Sequence, residues 1–198
     1  MTEKHPLDPD PHTQLAAWFS EAKQAGVRDP EAVSLATAAP DGRPSVRIVY
    51  YRGTREGELR FFTNYVSRKA RELEANPRAA LLFFWQPLSR QVRVEGVVRR
   101  SPAEESDEYF AGRERTSQIG AWASRQSEPV PSREALLAAV RALETRFAGG
   151  TVPRPEFWGG LRLRPDRFEF WQGREHRLHD RFVYLPKGGR WEITRISP

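Results

Sequence analysis

The sequence predicts an α+β protein in which a small antiparallel β-barrel carries helices inserted between its strands and covering its ends. About eight short segments have strand periodicity, and Gly-containing turns separate several of them. Segments with helical periodicity lie between these strands. Barrel closure removes the open edges of the sheet and leaves helices to cover the ends.

The first half of the chain is predicted to contain an arm, two helices and three strands. Residues 1–14 are assigned to an extended N-terminal arm because proline and alternating charges dominate them. Residues 15–198 are assigned to one domain, since this length suits a single hydrophobic core. In order, we expect a helix over 15–25, strands over 32–39, 46–52 and 59–63, and a helix that Ser67 caps and that ends near Ala75.

The second half is predicted to alternate between strands and helices. Strands are expected over 79–85 and 91–98, then a helix over 102–112 and a short helix near 119–127. The amphipathic pattern is clearest over 131–149, where Leu136, Val140, Leu143 and Phe147 form one stripe. Four more strands are expected over 160–163, 167–171, 181–185 and 191–195.

Composition narrows the classes of partner. The chain has 32 Lys plus Arg against 26 Asp plus Glu, a formal charge of +6, and its cations are mainly Arg, which favours phosphate-bearing partners. Its lack of cysteine excludes disulfides and thiolate chemistry. We expect a cytoplasmic protein without a membrane segment, because no window approaches about 20 apolar residues and the first residues have no apolar signal region.

An anion site is predicted at the start of the helix that follows Ser67. Arg68 and Lys69 occupy its first turn, where the helix dipole disfavours cations. Free backbone N–H groups and two cations would together bind a phosphate, whereas the alternative is an exposed helix end screened by water and salt. Arg47 and Arg52 on the preceding hairpin add two more candidate ligands.

The segment 169–182, EFWQGREHRLHDRF, is the most unusual in the chain. If it is extended, Arg177, His179 and Arg181 lie on one face. Such a face is either solvated surface or a pocket for an acidic ligand, because desolvated guanidinium groups require anions.

Other chemistries have weaker support. His176 and His179 are the only closely spaced histidines, so no metal site is expected. A nucleophile elbow, a Walker loop and a dinucleotide-binding glycine motif are not found. Basic residues are scattered over many elements, which disfavours nucleic acid. A second cation group around Tyr109, Arg113 and Ser117 remains, and two anion sites with planar aromatics suit a phosphorylated flavin and a phosphorylated substrate.

Several motifs resemble the pyridoxine (pyridoxamine) 5'-phosphate oxidase family. The similarity runs from about residue 15 to 198, and its motifs are RIVYYR (47–52), FFTNYVSRKA (61–70), RQV (90–92), the 109–122 run ending SQIGAW, RQS (125–127), FWGG (157–160) and EFWQGREHRLHDRF (169–182). The resemblance implies a dimeric FMN-binding split barrel. It also implies oxidation of pyridoxine or pyridoxamine 5'-phosphate to pyridoxal 5'-phosphate, with oxygen reduced to hydrogen peroxide.

The resemblance also assigns site residues. It implies that the substrate phosphate is held by Arg52, Tyr109, Arg113 and Ser117, and that Arg177 and His179 act on the substrate ring as binding and catalytic residues. The residues implied for FMN are Arg47, Ile48, Val49, Tyr50, Tyr51, Arg52, Phe62, Thr63, Arg68, Lys69, Gln91, Gln126, Ser127, Trp171 and Arg181. We expect these sites to form at the interface of a homodimer, because one small barrel has little room to enclose both ligands.

The chain departs from the family pattern at two places. Arg52 stands where the family usually has Lys, and residues 1–12 have no match to the family's basic N-terminal segment. Two alternatives therefore stay open. One is a split-barrel flavin oxidoreductase that acts on another anionic aromatic compound, as in the phenazine pathway, and the other is a non-enzymatic binder of flavin or pyridoxal phosphate.

Overall fold

A computed structural model describes residues 7–198, and it confirms the α+β class. Among these residues are five α-helices and nine strands. In chain order they are α1 (Pro11–Gln24), β1 (Ala32–Ala38), β2 (Pro44–Tyr50), β3 (Thr54–Arg55), β4 (Glu58–Asn64), α2 (Arg68–Ala75), β5 (Arg78–Trp85), β6 (Arg90–Arg100), α3 (Ala103–Ala111), α4 (Arg115–Ala123), α5 (Arg133–Arg146), β7 (Trp158–Gln172), β8 (Asp180–Lys187) and β9 (Arg190–Arg195).

The helix α1 begins four residues earlier than predicted, so the extended arm was wrong for residues 11–14. Asp10 caps the helix, since its side chain accepts hydrogen bonds from the backbone N–H groups of His12 and Thr13, and Pro11 fits the first helical position. Leu7 packs against the main core, and the Tyr184 hydroxyl donates to the carbonyl of Asp8 at 2.8 Å. Residues 1–6 of the predicted arm lie outside the described residues.

All strand pairs in the described sheet are antiparallel, in the order β2-β1-β5-β6-β7-β4-β3, with β8 paired to β7 and β9 to β8. The segment after β2 returns to β4, because the Arg52 N–H donates to the Arg60 carbonyl at 2.8 Å and the Arg60 N–H donates to the Gly53 carbonyl at 3.0 Å. These bonds join the two ends of the strand order, as in a closed barrel.

The strand β7 replaces two predicted strands. Its 15 residues run through Pro165, which pairs with Gly96 at a register shift in β6. A Cβ atom at Gly96 would lie 2.1 Å from the carbonyl oxygen of Arg164, so only glycine fits at this bulge. The prediction failed here because a proline within a strand pattern usually marks an interruption.

Two hydrophobic clusters form the interior. The larger lies between α1 and the sheet, and the smaller is centred on Phe110, Ile119, Val152 and Trp158. The predicted stripe of α5 contributes Val140, Leu143 and Phe147 to the smaller cluster, but none of the described α5 side chains is fully buried. No helix within residues 7–198 is long and apolar enough to cross a membrane.

The extended conformation considered for residues 177–181 was wrong at its start. Residues 175–177 form a 3-10 turn in which His176 and Arg177 have φ angles of 55° and 62°. The strand β8 begins at Asp180, so Arg177 is presented from a tight turn rather than from one face of a strand.

Candidate functional site

A cavity of about 690 Å³ lies between the β2 and β4 side of the sheet and the helices α2, α3 and α4. Many of the residues expected at the two ligands line it together: Ile48, Val49, Tyr50, Arg52, Phe62, Thr63, Lys69, Tyr109, Arg113, Ser117 and Gln126. The cavity is also lined by Asn64, Glu114, Gly120, Ala121, Ser124 and Trp158, none of which had been assigned a role. All of these residues except Ser124 fall within the motifs quoted above, and those motifs were the signal that could have identified them.

Lys69 is a buried cation in this cavity. Its ammonium group donates to Thr63 Oγ1 at 3.0 Å, Ser67 Oγ at 3.1 Å and Gln126 Oε1 at 2.7 Å, and no carboxylate among residues 7–198 forms an ion pair with it. Burial, together with the charge of Arg47, lowers the pKa of Lys69 to about 8. A buried ammonium that contacts only neutral oxygens is an unbalanced charge, and an anion would balance it.

The neighbouring Arg47 and Arg68 instead share one carboxylate as an ion-pair partner. Glu72 accepts from Arg68 Nε at 2.8 Å, from Arg47 at 3.3 Å, and from the hydroxyls of Thr37 and Ser45 at 2.5 Å each. Burial raises the pKa of Glu72, but these hydrogen bonds outweigh that effect and lower the pKa to about 2. Arg47 and Arg68 do not line the cavity, so Lys69 is the cation of this region that faces it.

Arg52, Tyr109, Arg113 and Ser117 also line the cavity, and we call them the substrate-phosphate cluster. The Tyr109 ring stacks on Phe62 at 3.7 Å between centroids, and the Arg113 guanidinium lies 4.7 Å from the Trp158 ring centroid. Burial lowers the pKa of Arg113, Tyr109 acts in the opposite direction, and the charge of Arg52 lowers the pKa by the smallest of the three effects. Two guanidinium groups close enough to repel each other favour an anion between them.

The remaining predicted residues lie elsewhere. Tyr51 packs its ring in the main core, and Ser127 is exposed beyond α4 with a φ of 71°. A second group stands at the β6, β7 and β8 end of the sheet, where Gln91 pairs with Trp171 and Trp171 pairs with Arg181. The ring of His179 lies 4.7 Å from that of Trp171, and Arg177 is the last residue of the 3-10 turn that precedes it. We call Gln91, Trp171, Arg177, His179 and Arg181 the C-terminal group.

One face of the sheet connects the C-terminal group with the cavity. Side chains that pair across neighbouring strands point to the same face, and the pairs Ile48–Ser34, Ser34–Leu82, Phe84–Gln91, Gln91–Trp171 and Trp171–Arg181 follow that face from β2 to β8. Its β2 and β5 part is apolar and open to solvent, since Val46, Ile48, Tyr50 and Phe84 are 68%, 59%, 48% and 56% exposed. We call this surface the outer sheet face.

Comparison with known proteins agrees with this geometry. Residues 19–147 match the family described as pyridoxamine 5'-phosphate oxidase, and residues 158–198 match the family described as the pyridoxine 5'-phosphate oxidase C-terminal dimerisation region. A relative from Rubrobacter xylanophilus, named pyridoxine/pyridoxamine 5'-phosphate oxidase, is 59% identical over 96% of this chain and 88% of its own length. A relative of the same name from Bordetella pertussis is 55% identical over 95% of this chain and 89% of its own length.

Solved structures show the same architecture. PhzG from Burkholderia lata, in complex with tetrahydrophenazine-1-carboxylic acid, superposes with a TM-score of 0.93 at 34% identity and covers 100% of this chain and 97% of its own. A pyridoxamine 5'-phosphate oxidase-related, FMN binding protein from Nostoc punctiforme shares the fold, with a TM-score of 0.75 at 18% identity over 97% of this chain and 100% of its own. The chain therefore belongs to the pyridoxamine 5'-phosphate oxidase family.

Proposed function

We propose that the chain is an FMN-dependent oxidase that converts pyridoxine or pyridoxamine 5'-phosphate to pyridoxal 5'-phosphate, with oxygen as the electron acceptor and hydrogen peroxide as the by-product. One observation carries the proposal. A single cavity holds two separate groups of anion-binding side chains, Lys69 on one side and the substrate-phosphate cluster on the other. Two phosphorylated ligands in contact, a cofactor and a substrate, satisfy both groups.

The residues present fit FMN. The unbalanced ammonium of Lys69 suits the FMN phosphate, and it lies at the start of α2, where Ser67 makes no side-chain capping bond among the described residues. Thr63 and Gln126 would complete that end, while the β2 backbone at Ile48 and Val49 borders the same cavity. When bound, FMN supplies the two-electron acceptor for the substrate and passes the electrons to oxygen.

The substrate-phosphate cluster would bind and orient the substrate. Arg52 and Arg113 supply positive charge, and Tyr109 and Ser117 supply hydroxyl donors. Stacking on Phe62 fixes the plane of the Tyr109 ring, which limits where its hydroxyl can point. Holding the phosphate at this end places the pyridine ring toward the other side of the cavity, so the chain contributes to catalysis by positioning.

The outer sheet face is proposed as the dimer interface. It is apolar near the cavity and ends at the C-terminal group, and the matched dimerisation region covers residues 158–198. If two copies pair these faces around a two-fold axis, each copy brings its C-terminal group to the other copy's cavity. Trp171, Arg181 and Gln91 would then complete the FMN site, and Arg177 and His179 would cover the substrate ring.

The second candidate function is oxidation of another anionic aromatic compound. It is favoured by one observation, the superposition with PhzG in complex with tetrahydrophenazine-1-carboxylic acid. The vitamin B6 phosphates are preferred because the two relatives with that name described above share 59% and 55% identity, against 34% for PhzG. A carboxylate would also leave part of the substrate-phosphate cluster without an acceptor.

The test is to purify the protein, record its flavin absorbance, and follow peroxide release with pyridoxine 5'-phosphate and with pyridoxamine 5'-phosphate. We expect a yellow protein that releases peroxide with at least one of them. A yellow protein that is inert to both but oxidises a reduced phenazine carboxylate would establish the second candidate. A colourless protein that takes up no FMN would exclude both.

A further inference from the structure

A buried ionic network lies behind the substrate-phosphate cluster. Glu105, Arg162 and Glu58 are only 5%, 3% and 4% exposed, yet all three carry charge. Glu105 accepts from Arg162 Nε at 2.9 Å and from Arg60 at 3.0 Å, and Arg99 donates to both oxygens of Glu58 at 3.0 and 3.1 Å. Burial raises the pKa of Glu105, but hydrogen bonds from Arg162 and Arg60 outweigh that effect and lower the pKa, so the carboxylate stays ionised.

Within this network, Arg60 joins the segment that carries Arg52 to the helix α3, which carries Tyr109. One terminal nitrogen donates to the carbonyl oxygen of Arg52 at 2.9 Å, and the other donates to Glu105 Oε1 at 3.0 Å. Glu105 is on α3 one helical turn before Tyr109, and Arg113 follows the end of that helix. A single planar guanidinium therefore spans from the backbone of Arg52 to the helix that presents Tyr109.

This link opposes a repulsion that the cluster itself creates. Arg52 and Arg113 lie close enough that the charge of one lowers the pKa of the other. Arg52 is on the segment after β2, whereas Arg113 is on the segment between α3 and α4. Holding the two segments in place before a phosphate arrives would spare each binding event the cost of ordering them.

We infer that Arg60 and Glu105 are positioning residues that hold Arg52 at a fixed separation from Tyr109 and Arg113, and so pre-organise the site for the substrate phosphate. The inference rests on the proposed function and assigns a role to two residues that touch neither ligand in it. The planar fork of Arg60 is essential, because two acceptors in different directions must be held at once.

The test compares Arg60→Lys with Arg99→Lys. Both variants keep the charge and lose the fork, and both lie in the same ionic network. Arg99 pairs with Glu58 alone among the described residues, and it does not line the cavity. For Arg60→Lys we expect KM for the phosphorylated substrate to rise about tenfold, equivalent to roughly 1.4 kcal/mol, with kcat and FMN affinity nearly unchanged. Arg99→Lys should keep the wild-type KM.

Two further measurements separate the possible failures. Glu105→Gln keeps the shape of the side chain but weakens both bonds, and it should raise KM in the same direction. Binding of pyridoxal 5'-phosphate, followed by absorbance in the FMN-loaded protein, should weaken in parallel, and it is measured even if peroxide release fails. Wild-type protein that is inert to vitamin B6 phosphates would contradict the proposed function alone. Equal KM and pyridoxal phosphate affinity in Arg60→Lys and Arg99→Lys would overturn the inference.

Discussion

The cations Lys69 and Arg113 of the cavity are held differently from Arg181 of the C-terminal group. Lys69 contacts only neutral oxygens, and Arg113 has a buried nitrogen with no hydrogen-bond partner among the described residues. In the C-terminal group, Arg181 donates to Glu169 at 2.7 and 2.9 Å, while its neighbour Arg174 pairs with Asp180 at 2.7 Å. In the proposed function the unbalanced cations bind the anionic ligands, whereas Arg181 lies on the face proposed to contact a second copy.

The largest effect is expected when the two copies of the proposed dimer are separated, because the C-terminal group of each copy then leaves the cavity of the other. Phe84→Glu places a charge on the outer sheet face, where the native side chain is 56% exposed, so the fold of one copy should survive. Burying an unpaired charge in the proposed interface costs roughly 3–5 kcal/mol, which weakens the dimer by more than about 100-fold. Sedimentation should show monomers that have lost flavin and activity together.

The matched control is Leu137→Glu on α5, where the native side chain is 41% exposed and lies off that face. It should leave the dimer intact. A Phe84→Glu dimer that keeps stoichiometric FMN would show that the interface lies elsewhere.

Arg177→Ala tests the C-terminal group on its own. Arg177 is exposed in the tight turn and forms no described ion pair, so its removal should not unfold the protein. We expect kcat to fall about 100-fold, because the substrate ring loses its cover and its alignment, while FMN titrations stay unchanged. Glu175→Gln in the same turn is the control. Loss of flavin with normal turnover per bound flavin would assign Arg177 to the wrong ligand.

Lys69→Met tests the unbalanced cation. Losing a charged hydrogen bond costs about 1.5–3 kcal/mol, which corresponds to roughly 10- to 150-fold in FMN affinity. Arg68→Met should have a smaller effect, because Arg68 is 55% exposed and already paired with Glu72. Fluorescence titration of the two variants measures the difference, and equal losses would contradict the distinction between balanced and unbalanced cations.

Lys69→Met should also stabilise the folded protein in the absence of FMN. Since the folded state lowers the pKa of Lys69 from 10.5 to about 8, the stability that its neutral form provides is present above pH 10.5 and is lost as the pH falls to about 8. At pH 7 the buried charge is a net cost, so Lys69→Met should raise the melting temperature of the flavin-free protein by about 2–4 °C per kcal/mol recovered. An unchanged or lower melting temperature would mean that Lys69 is better solvated than its contacts indicate.

The smallest effect is a pH dependence of FMN affinity. Below pH 8 Lys69 is charged and attracts phosphate, and above it the ammonium loses its proton. FMN affinity should therefore decline above pH 8 in the wild type. Lys69→Arg, which stays charged over this range, should abolish the decline. A decline that persists in Lys69→Arg would assign the titration to another group.

Local pattern was sufficient for most elements. The helix start after Ser67, the helix end at Ala75 and the strand to Trp85 depend on neighbours within a few residues, and the structure places them within one residue of the prediction. Ser67 holds the N-cap position, but it makes no side-chain capping bond among the described residues. The α1 start and the continuous β7 were missed for a physical reason. Pro11 and Pro165 look like interruptions, but the Asp10 cap and the glycine at position 96 accommodate them.

The sequence alone determined the types of side chain, their motifs and hence the family, because these are properties of residues in order. Which cations stay unbalanced was decided by the tertiary structure. Arg47, Arg68 and Lys69 are all cations in the sequence, yet Glu72 pairs with the two arginines and the lysine contacts only neutral oxygens. Strand pairing likewise decided which of the predicted ligand-binding residues line the cavity and which belong to the C-terminal group. Burial and charge balance depend on neighbours that are far apart in the chain, so the sequence alone does not specify them.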